Sequence, residues 1–500
     1  MTKTDDTTGD AFDLTRSQVR DRALAGVFFV TASGFANLVV GFVGNLLVAR
    51  MLTPNDFGVV AVGLTVTLVG NALADGGLGS GMIRRPEPPS RGELRTLNGI
   101  QLAISLALVV PVALVSLGFG TTGAVTAVMM ASLPITMLQT PGRVVLARSM
   151  RYDRQAAADF VSYASFHVFA VATVALGAGV WGLAAGTVVR ATVGAVLTAV
   201  LSIGFLLPSL KGWKKFGDLV RFGLRFQANW ALTVVREQGI NAVTAAISGL
   251  TVLGLWTLAT RLIQLPIVAF LSLYTVGFPA MSNLLARGEA PGPVILRVVR
   301  RAAIGGALIL PAFAASSPEL VPALFGERWA DAADVIPFVA FSTLILSSIS
   351  VGASSYLNAA GRPGTVALAT GAFGAVWIGV TAALLPSLDI VAIGVGNLCG
   401  ALVEAAILDR ATRRTARVAP YRPLVAPLAV ALPAGAVGWF VCSAGPSGLA
   451  IACAAGALTV VLVVVGLMIV CRNGLMETLH LIARAVKTAI PRLRRSTANA

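Results

Sequence analysis

Charged residues lie inside three stretches that are otherwise apolar enough to cross a membrane. Arg236 and Glu237 are neighbours in "ALTVVREQGINAV" (231–243), whereas Arg190 and Arg261 stand alone in similar surroundings. A charge at membrane depth costs at least about 2–3 kcal/mol, so each should face a water-filled cavity or a partner. Arginine keeps its charge there and carries a planar fork of hydrogen-bond donors. The chemistry open to these residues is therefore binding of a polar ligand, or an ion pair that holds helices together.

A helical wheel places Glu237 in a polar seam of its predicted helix. At about 100° per residue, one narrow arc contains Thr233, Glu237, Asn241, Thr244 and Ser248. Asn229 and Arg236 border this arc. Such a seam suits a helix that lines a watery cavity. In the alternative, Arg236 pairs with a carboxylate of another helix, such as Glu404, and only holds the bundle together.

The rest of the chain has the composition of a polytopic, all-α membrane protein. The mean hydropathy is +0.83, and 12% of the residues are charged. A soluble chain of this length would carry about twice that share of charge. The net charge of +16 is therefore assigned to loops beside an anionic leaflet, and not to nucleic-acid binding. The four cysteines show no paired spacing, and neither a metal nor a cofactor is expected.

Fourteen membrane-spanning helices are predicted from the apolar blocks. Their cores are 23–48, 57–82, 97–118, 122–146, 156–178, 181–207, 227–248, 251–283, 300–324, 334–359, 363–385, 389–409, 423–443 and 447–471. The first 22 residues are polar and contain no cleavable apolar segment, so the first spanning helix is expected to act as its own signal. A charged amphipathic segment follows the last core and is expected to lie on the inner membrane surface.

The distribution of lysine and arginine tests this count of helices. With the amino terminus in the cytoplasm, 33 of the 38 basic residues fall on the inner side. Arg50 and Arg328 fall outside, and the three intramembrane arginines complete the set. Because basic residues concentrate in cytoplasmic loops, this asymmetry predicts that both termini face the cytoplasm.

An internal repeat relates predicted helices 1–2 to helices 7–8. The turn "MLTPNDFGVVAVG" resembles "ISGLTVLGLWTLA", and Gly58 aligns with Gly254 at an offset of 196 residues. An even number of helices separates the two hairpins, so both halves keep the same orientation in the membrane. The predicted organisation is a tail (1–22), two lobes of six helices (23–210 and 211–415), two additional helices (416–471) and an amphipathic tail (472–500).

Five motifs, in order, resemble the polysaccharide and O-antigen flippases of the multidrug/oligosaccharidyl-lipid/polysaccharide exporter superfamily. They are "LLVARMLTPNDFGVVAVGLTVTLVGNALADGGLGSGMIRR", "LGLWTLATRLIQLP", "VGFPAMSNL", "LFGERWADAADVIPFVA" and "YLNAAGRPG". Trp256 replaces the tyrosine that the second motif usually contains. The resemblance implies two pseudo-symmetric lobes around a central cavity. It also implies translocation of a lipid-diphosphate-linked oligosaccharide across the cytoplasmic membrane by alternating access, alongside other polysaccharide-assembly proteins.

Such a substrate assigns roles to the polar residues within the membrane. Arg236, Arg261 and Arg190 are the candidate ligands of the diphosphate, because the arginine fork binds phosphate oxygens bidentately. The candidates that would line the cavity and meet sugar hydroxyls are Glu237, Asn229, Asn241 and Gln264. The candidates for coupling transport to an ion are Asp75, Glu237 and Glu404.

Three other functions compete with this prediction. A membrane glycan-modifying enzyme is disfavoured, because the longest outer loop (317–334) has no histidine and the chain contains only His167 and His480. An exporter of cationic drugs would need acidic residues deep in the first lobe, but the first helix has no charge between Arg22 and Arg50. A flippase for the peptidoglycan precursor would be expected to carry more arginines in its first helices. The identity of the glycan, the coupling ion and the oligomeric state stay open.

Overall fold

The computed structural model describes residues 16–498. Its side chains are described except at 16–21, 23–24, 27–28, 117, 214–215, 218–220, 222, 224–233, 265, 267–280 and 481–498. Every regular element within 16–498 is helical. The chain forms two compact units, Met1–Thr257 and Leu258–Ala500.

The helices of the first unit begin near the amino terminus and extend to the start of the eleventh helix. They are α1 (Arg16–Met51), α2 (Pro54–Asp75), α3 (Leu78–Arg84), α4 (Arg91–Ser116), α5 (Gly120–Met130), α6 (Ser132–Met137), α7 (Thr140–Arg148), α8 (Tyr152–Thr173), α9 (Val180–Leu201), α10 (Gly217–Ile247) and the first turns of α11 (Gly249–Ala286). The second unit contains the remainder of α11 and α12 (Gly292–Phe325), α13 (Ala332–Ala359), α14 (Pro363–Leu388), α15 (Ile390–Ala416), α16 (Arg422–Ala444) and α17 (Leu449–Ala498).

Twelve stretches of the described chain are long and apolar enough to cross a membrane. They coincide with twelve of the fourteen predicted cores. The other two predicted cores, 227–248 and 251–283, fall within α10 and α11, which are continuous helices with partly described side chains. The predicted class, an all-α polytopic membrane protein, is confirmed, whereas the count of fourteen is approximate, since twelve helices of the described residues qualify as spans.

Two predicted spans are interrupted. The span 57–82 breaks at Gly76 and Gly77, whose φ values of 54° and 68° lie in the left-handed region and end α2. The span 122–146 is divided among α5, α6 and α7. Pro134 and Pro141 lie in the first turns of α6 and α7, where a missing backbone N–H costs least.

The turn between α1 and α2 is fixed by a capping box. The Thr53 hydroxyl accepts a hydrogen bond from the Asp56 backbone N–H (3.3 Å), and the Asp56 carboxylate accepts one from the Thr53 N–H (2.9 Å). Pro54 occupies the first helical position, where its fixed φ favours helix initiation. This local chemistry determines where α2 starts.

The glycines at equivalent positions of the two predicted hairpins make reciprocal contacts. A Cβ atom on Gly58 would overlap the carbonyl oxygen of Leu250, and a Cβ atom on Gly254 would overlap that of Pro54. Gly254 lies 196 residues after Gly58, and Leu250 lies 196 residues after Pro54, so the two contacts involve equivalent positions. These contacts, the glycine crossing, pack the start of α2 closely against the start of α11.

Arg148 fixes the connection between α3 and α4. Its guanidinium group donates to the backbone carbonyls of Met82 (3.0 Å), Ile83 (3.2 Å), Arg85 (2.6 Å) and Pro86 (3.3 Å). The carbonyls of Met82 and Ile83 lie in the last turn of α3, where no helical N–H follows to bond them, and those of Arg85 and Pro86 lie just beyond it. One side chain of α7 therefore caps α3 and orders the loop that follows it.

The second unit has an apolar core at the crossing of α12, α13, α16 and α17. Ile304, Leu344, Val463, Leu467 and Leu475 are fully buried there. Helix α17 bends at Cys471, where φ is −146° and ψ is 52°. Leu475 packs into the core beyond this bend, so the segment after the bend is held against α12.

Candidate functional site

Helix α10 places Arg236 and Glu237 side by side. Their side chains form an ion pair of 3.1 Å between Nη2 and Oε1, and they are 21% and 53% exposed. Adjacent helical residues point about 100° apart, but the long arginine side chain spans this angle. The guanidinium group thus lies mostly within the protein while its carboxylate partner is accessible.

Asn241 lies one turn further along α10 and connects two helices. Its Nδ2 atom donates to the Thr65 hydroxyl of α2 (3.2 Å) and to Oε1 of Gln238 (3.1 Å). Sequence patterns assigned no role to Gln238, because it falls outside the polar arc, and did not single out Thr65. Their part in this network depends on the neighbouring helix, which no periodicity within α10 reveals.

The remainder of the polar seam is only partly described. Thr244 is fully buried, and Ser248 is half-buried at the end of α10. The side chains of Asn229 and Thr233 lie outside the described residues. The described part of the seam therefore consists of one accessible ion pair, the hydrogen-bonded amide of Asn241 and the buried hydroxyl of Thr244, which has no hydrogen-bond partner among the described residues.

Arg190 of α9 lies over an aromatic ring that sequence analysis missed. Its guanidinium carbon is 5.0 Å from the centroid of the Tyr163 ring. His167, one turn along α8, contacts that ring edge-on at 4.7 Å. Gly41 and Gly44 of α1 admit the Tyr163 and His167 side chains, since a Cβ atom at either glycine would overlap them. The spacing of four residues between Tyr163 and His167 indicates that both lie on one face of α8, and this could have been read from the sequence.

The polar face of α8 continues to Asp159. Its carboxylate pairs with Arg143 of α7 at 2.5 Å, and both side chains are partly accessible at 43% for Arg143 and 37% for Asp159. Arg143 also donates to the side-chain oxygen of Gln139 (3.2 Å), whose amide donates to the Ala191 carbonyl (3.2 Å). The first unit thus carries a second array of polar side chains, on α7, α8 and α9.

Asp75 is the last residue of α2, and its side chain caps the end of that helix. Its carboxylate accepts hydrogen bonds from the Gly77 backbone N–H (3.1 Å) and from the Gln101 amide (3.1 Å). Gly77 in turn packs closely on Gly223 of α10: a Cβ atom on Gly77 would overlap the Gly223 backbone, and one on Gly223 would overlap the carbonyl oxygen of Gly76. These contacts are those of a capping residue that orders a close helix contact.

The candidates of the second unit lie on α11 and α15. Arg261 is half-buried and Gln264 is exposed, and their spacing of three residues places them on one side of α11, just before Pro266. Glu404 is 5% exposed and accepts a hydrogen bond from the Thr370 hydroxyl of α14 (3.2 Å). Glu404 therefore has a partner within its own unit.

The described residues contain no group of three or more histidine, cysteine, aspartate or glutamate side chains that is suited to hold a metal ion. The four cysteines are free thiols. What the described polar groups can do is to bind anions through arginine and to donate or accept hydrogen bonds.

Comparisons with known sequences identify the family to which this chain is similar. A family model described as "Polysaccharide biosynthesis protein" matches residues 47–334. The succinoglycan biosynthesis transport protein ExoT of Rhizobium meliloti (strain 1021) is 25% identical over 321 residues. That match covers 62% of this chain and 64% of the relative, so it spans less than two thirds of the relative's length.

Two solved structures share the fold. The lipid II flippase MurJ, in an inward closed conformation, superposes with a TM-score of 0.70 at 10% identity, covering 89% of this chain and 99% of that one. An inward-facing MATE-family multidrug resistance transporter of the MOP superfamily superposes with a TM-score of 0.58 at 16% identity, covering 76% and 95%. Identities this low establish the fold alone, and the fold shared with both structures supports the predicted all-α polytopic class.

Proposed function

This chain is a member of the polysaccharide biosynthesis protein family, and we propose that it moves lipid-diphosphate-linked oligosaccharide units across the cytoplasmic membrane. Its helices are long and apolar enough to span a membrane many times. A relative named for succinoglycan transport and the fold of a lipid flippase support the proposal. The proposed movement is alternating access, without a covalent step.

The observation that carries the proposal is the Arg236–Glu237 pair. An ion pair with an exposed partner is worth only about 0–1 kcal/mol, whereas a charge-assisted hydrogen bond to phosphate is about twice as strong as a neutral one. A diphosphate that reaches Arg236 therefore displaces Glu237. The proposed role of Arg236 is to bind the diphosphate through its guanidinium group while the glycan lies in the water-filled cavity.

The release of Glu237 also offers a route to ion coupling. Once Arg236 is bound to phosphate, the Glu237 carboxylate loses its counter-charge and is released to pair with a cation. Asp75 and Glu404 already accept hydrogen bonds from neighbouring side chains, so we place the coupling at Glu237. This order links substrate binding to cation binding in one step.

The remaining candidates take secondary roles in the proposal. Arg261 and Arg190 are the further phosphate ligands, and the exposed Gln264 meets sugar hydroxyls. Asn241 is assigned a positioning role, because its amide already bonds α2. The basic residues, 33 of 38 on one side, support a cytoplasmic location for both termini.

Export of a surface glycan tests the proposal. Arg236→Ala and Arg261→Ala are each expected to abolish export and to leave the lipid-linked unit on the inner leaflet. Arg236→Lys, which keeps the charge without the fork, should retain a small fraction of export. Arg91→Ala, at an exposed position on α4, is the matched control and should export normally.

Two outcomes contradict the proposal. If both alanine variants are expressed normally and export an unchanged amount of surface glycan, these arginines do not bind the phosphate during transport. Transport of lipid II or of a cationic drug in proteoliposomes, with no requirement for the chain in glycan export, would assign it to another branch of the superfamily.

A further inference from the structure

A second concentration of arginines lies in the second unit, around a half-open cavity of about 430 Å³. Arg300 of α12, Arg422 at the start of α16 and Arg472 of α17 line it, together with Cys471 and other residues of the bend. By the distribution of basic residues, this end of the helices is predicted to face the cytoplasm. The cavity is defined by three helices that are distant in sequence.

The walls of this cavity are fixed by packing. The bend at Cys471 forms part of the cavity wall. Beyond the bend, the Thr478 hydroxyl donates to the Gly474 carbonyl (2.8 Å) and Leu475 is fully buried. The stem of Arg300 lies beside Gly474, where an added Cβ atom would be 3.2 Å from its Cδ atom. The arginine is therefore positioned by its own hydrocarbon chain.

The charge of this cavity is entirely positive. No acidic side chain lines it. Within the part of the chain that the structure describes, none of the guanidinium groups of Arg300, Arg422 and Arg472 has a hydrogen-bond or ion-pair partner. Glu477, the carboxylate that follows on α17, is paired with Arg301 instead, at 3.7 Å. Three like charges from three helices are thus held near one another without a counter-ion from the protein.

We propose that this cavity binds the phosphate group of an anionic membrane lipid. Arginine forks bind phosphate oxygens through paired, charge-assisted hydrogen bonds, and basic pockets between spanning helices on the cytoplasmic side hold lipid head groups. An incoming phosphate satisfies donors that have no partner in the protein. The site is separate from the residues proposed to carry the transported substrate, and it does not depend on that function.

The surroundings favour a lipid over a soluble phosphate. Ile469 and Val470, just before the bend, are 80% and 57% exposed, and Met476 and Leu479, just after it, are 41% and 38% exposed. Apolar side chains of this kind lie among acyl chains, at the boundary with the head groups. The arginines between them are therefore at the depth of lipid phosphates. One lipid can place its phosphate in the cavity and its acyl chains against the apolar side chains.

Native mass spectrometry of the full-length protein in detergent tests the site. Phosphatidylglycerol is titrated against phosphatidylcholine, which also carries a phosphate but has no net charge. The pocket variant is Arg422→Gln combined with Arg472→Gln. The control is Arg410→Gln combined with Arg414→Gln, which removes the same charge from exposed positions of α15 outside the cavity.

The pocket variant should bind phosphatidylglycerol at least about tenfold more weakly than the wild type, since two charged contacts are lost. The control should stay within about twofold. Equal binding by the pocket variant and the wild type overturns the proposal. An equal loss in both double variants also overturns it, because it would show attraction to any exposed arginine.

Hydrogen exchange on the wild-type protein supplies a test that needs no variant. Phosphatidylglycerol should slow exchange of the backbone amides in 470–475, and phosphatidylcholine should not. Inorganic pyrophosphate forms the third arm of this test. Equal protection by pyrophosphate alone supports the phosphate site and assigns it to a soluble ligand, whereas no protection by any anion overturns the site.

Discussion

Replacing Gly58 with alanine is expected to force apart the starts of α2 and α11. The added Cβ atom would fall on the carbonyl oxygen of Leu250, which belongs to a helical backbone and has no rotamer through which to withdraw. Relief therefore requires a displacement of one helix from the other by more than about 1 Å, at a crossing that is otherwise close-packed. Gly254→Ala should act in the same way, because it meets the carbonyl of Pro54.

The size of the effect follows from the cost of overpacking. One methyl group forced into a packed contact costs about 1–3 kcal/mol. That cost shifts an equilibrium between closed and open forms of the crossing by a factor of about 5 to 150. A protein that favours the closed crossing by about 100 to 1 would then populate both forms. Transport by alternating access would become slower, since one of its states is disfavoured.

Distance measurement between spin labels tests this prediction. Asn55 and Thr251 are exposed beside the crossing and suit labelling after substitution by cysteine. The native thiols to be replaced first are Cys399, Cys442, Cys453 and Cys471. Gly58→Ala should broaden the distance distribution towards longer values.

The control for this experiment is Gly70→Ala, on the same helix. There the new methyl group would lie 3.2 Å from the ends of the Leu133 and Met130 side chains, which can adjust. An unchanged distance distribution in Gly58→Ala, with normal export, would refute the argument that the glycine crossing is a steric constraint.

Further predictions concern individual contacts of the first unit. Arg148→Gln should lower the free energy of unfolding by about 1–2 kcal/mol, because four carbonyls lose a donor, whereas Arg151→Gln should have little effect; thermal unfolding in detergent measures both. Tyr163→Leu should reduce glycan export by removing the ring beneath Arg190, and Tyr163→Phe should preserve it, since cation–π attraction needs only the ring; equal export in the two variants would contradict this role.

Hydropathy predicted the spans well for two physical reasons. A helix needs about twenty apolar residues to cross the membrane, and lipid excludes any other backbone conformation that leaves polar groups unpaired. The predicted core 334–359 and the observed α13, Ala332–Ala359, agree closely. The breaks inside α2–α3 and α5–α7 were missed. Gly76 and Gly77 signal the first break, but a glycine run in a membrane helix is equally typical of close packing, and Gly77 in fact serves both purposes.

The candidate site was predicted less completely than the fold. Helical periodicity alone was enough to predict that Glu237 and Asn241 lie on one face of the helix that became α10. The Arg236–Glu237 ion pair, the Asn241–Thr65 contact and the ring beneath Arg190 depend on side-chain reach and on neighbouring helices. Such contacts join residues far apart in the chain, so a single sequence without tertiary information does not determine them.

The buried position of Leu475 has a consequence for biogenesis. Leu475 and Val463, near the end of the chain, complete a core that Ile304 and Leu344 begin much earlier. During synthesis, α12 and α13 enter the membrane long before their last partner leaves the ribosome. A chain that is interrupted before the bend of α17 lacks that partner, and its α12 face stays open to chaperones and membrane proteases. The core of the second unit is therefore completed only after α17 has been synthesised beyond its bend.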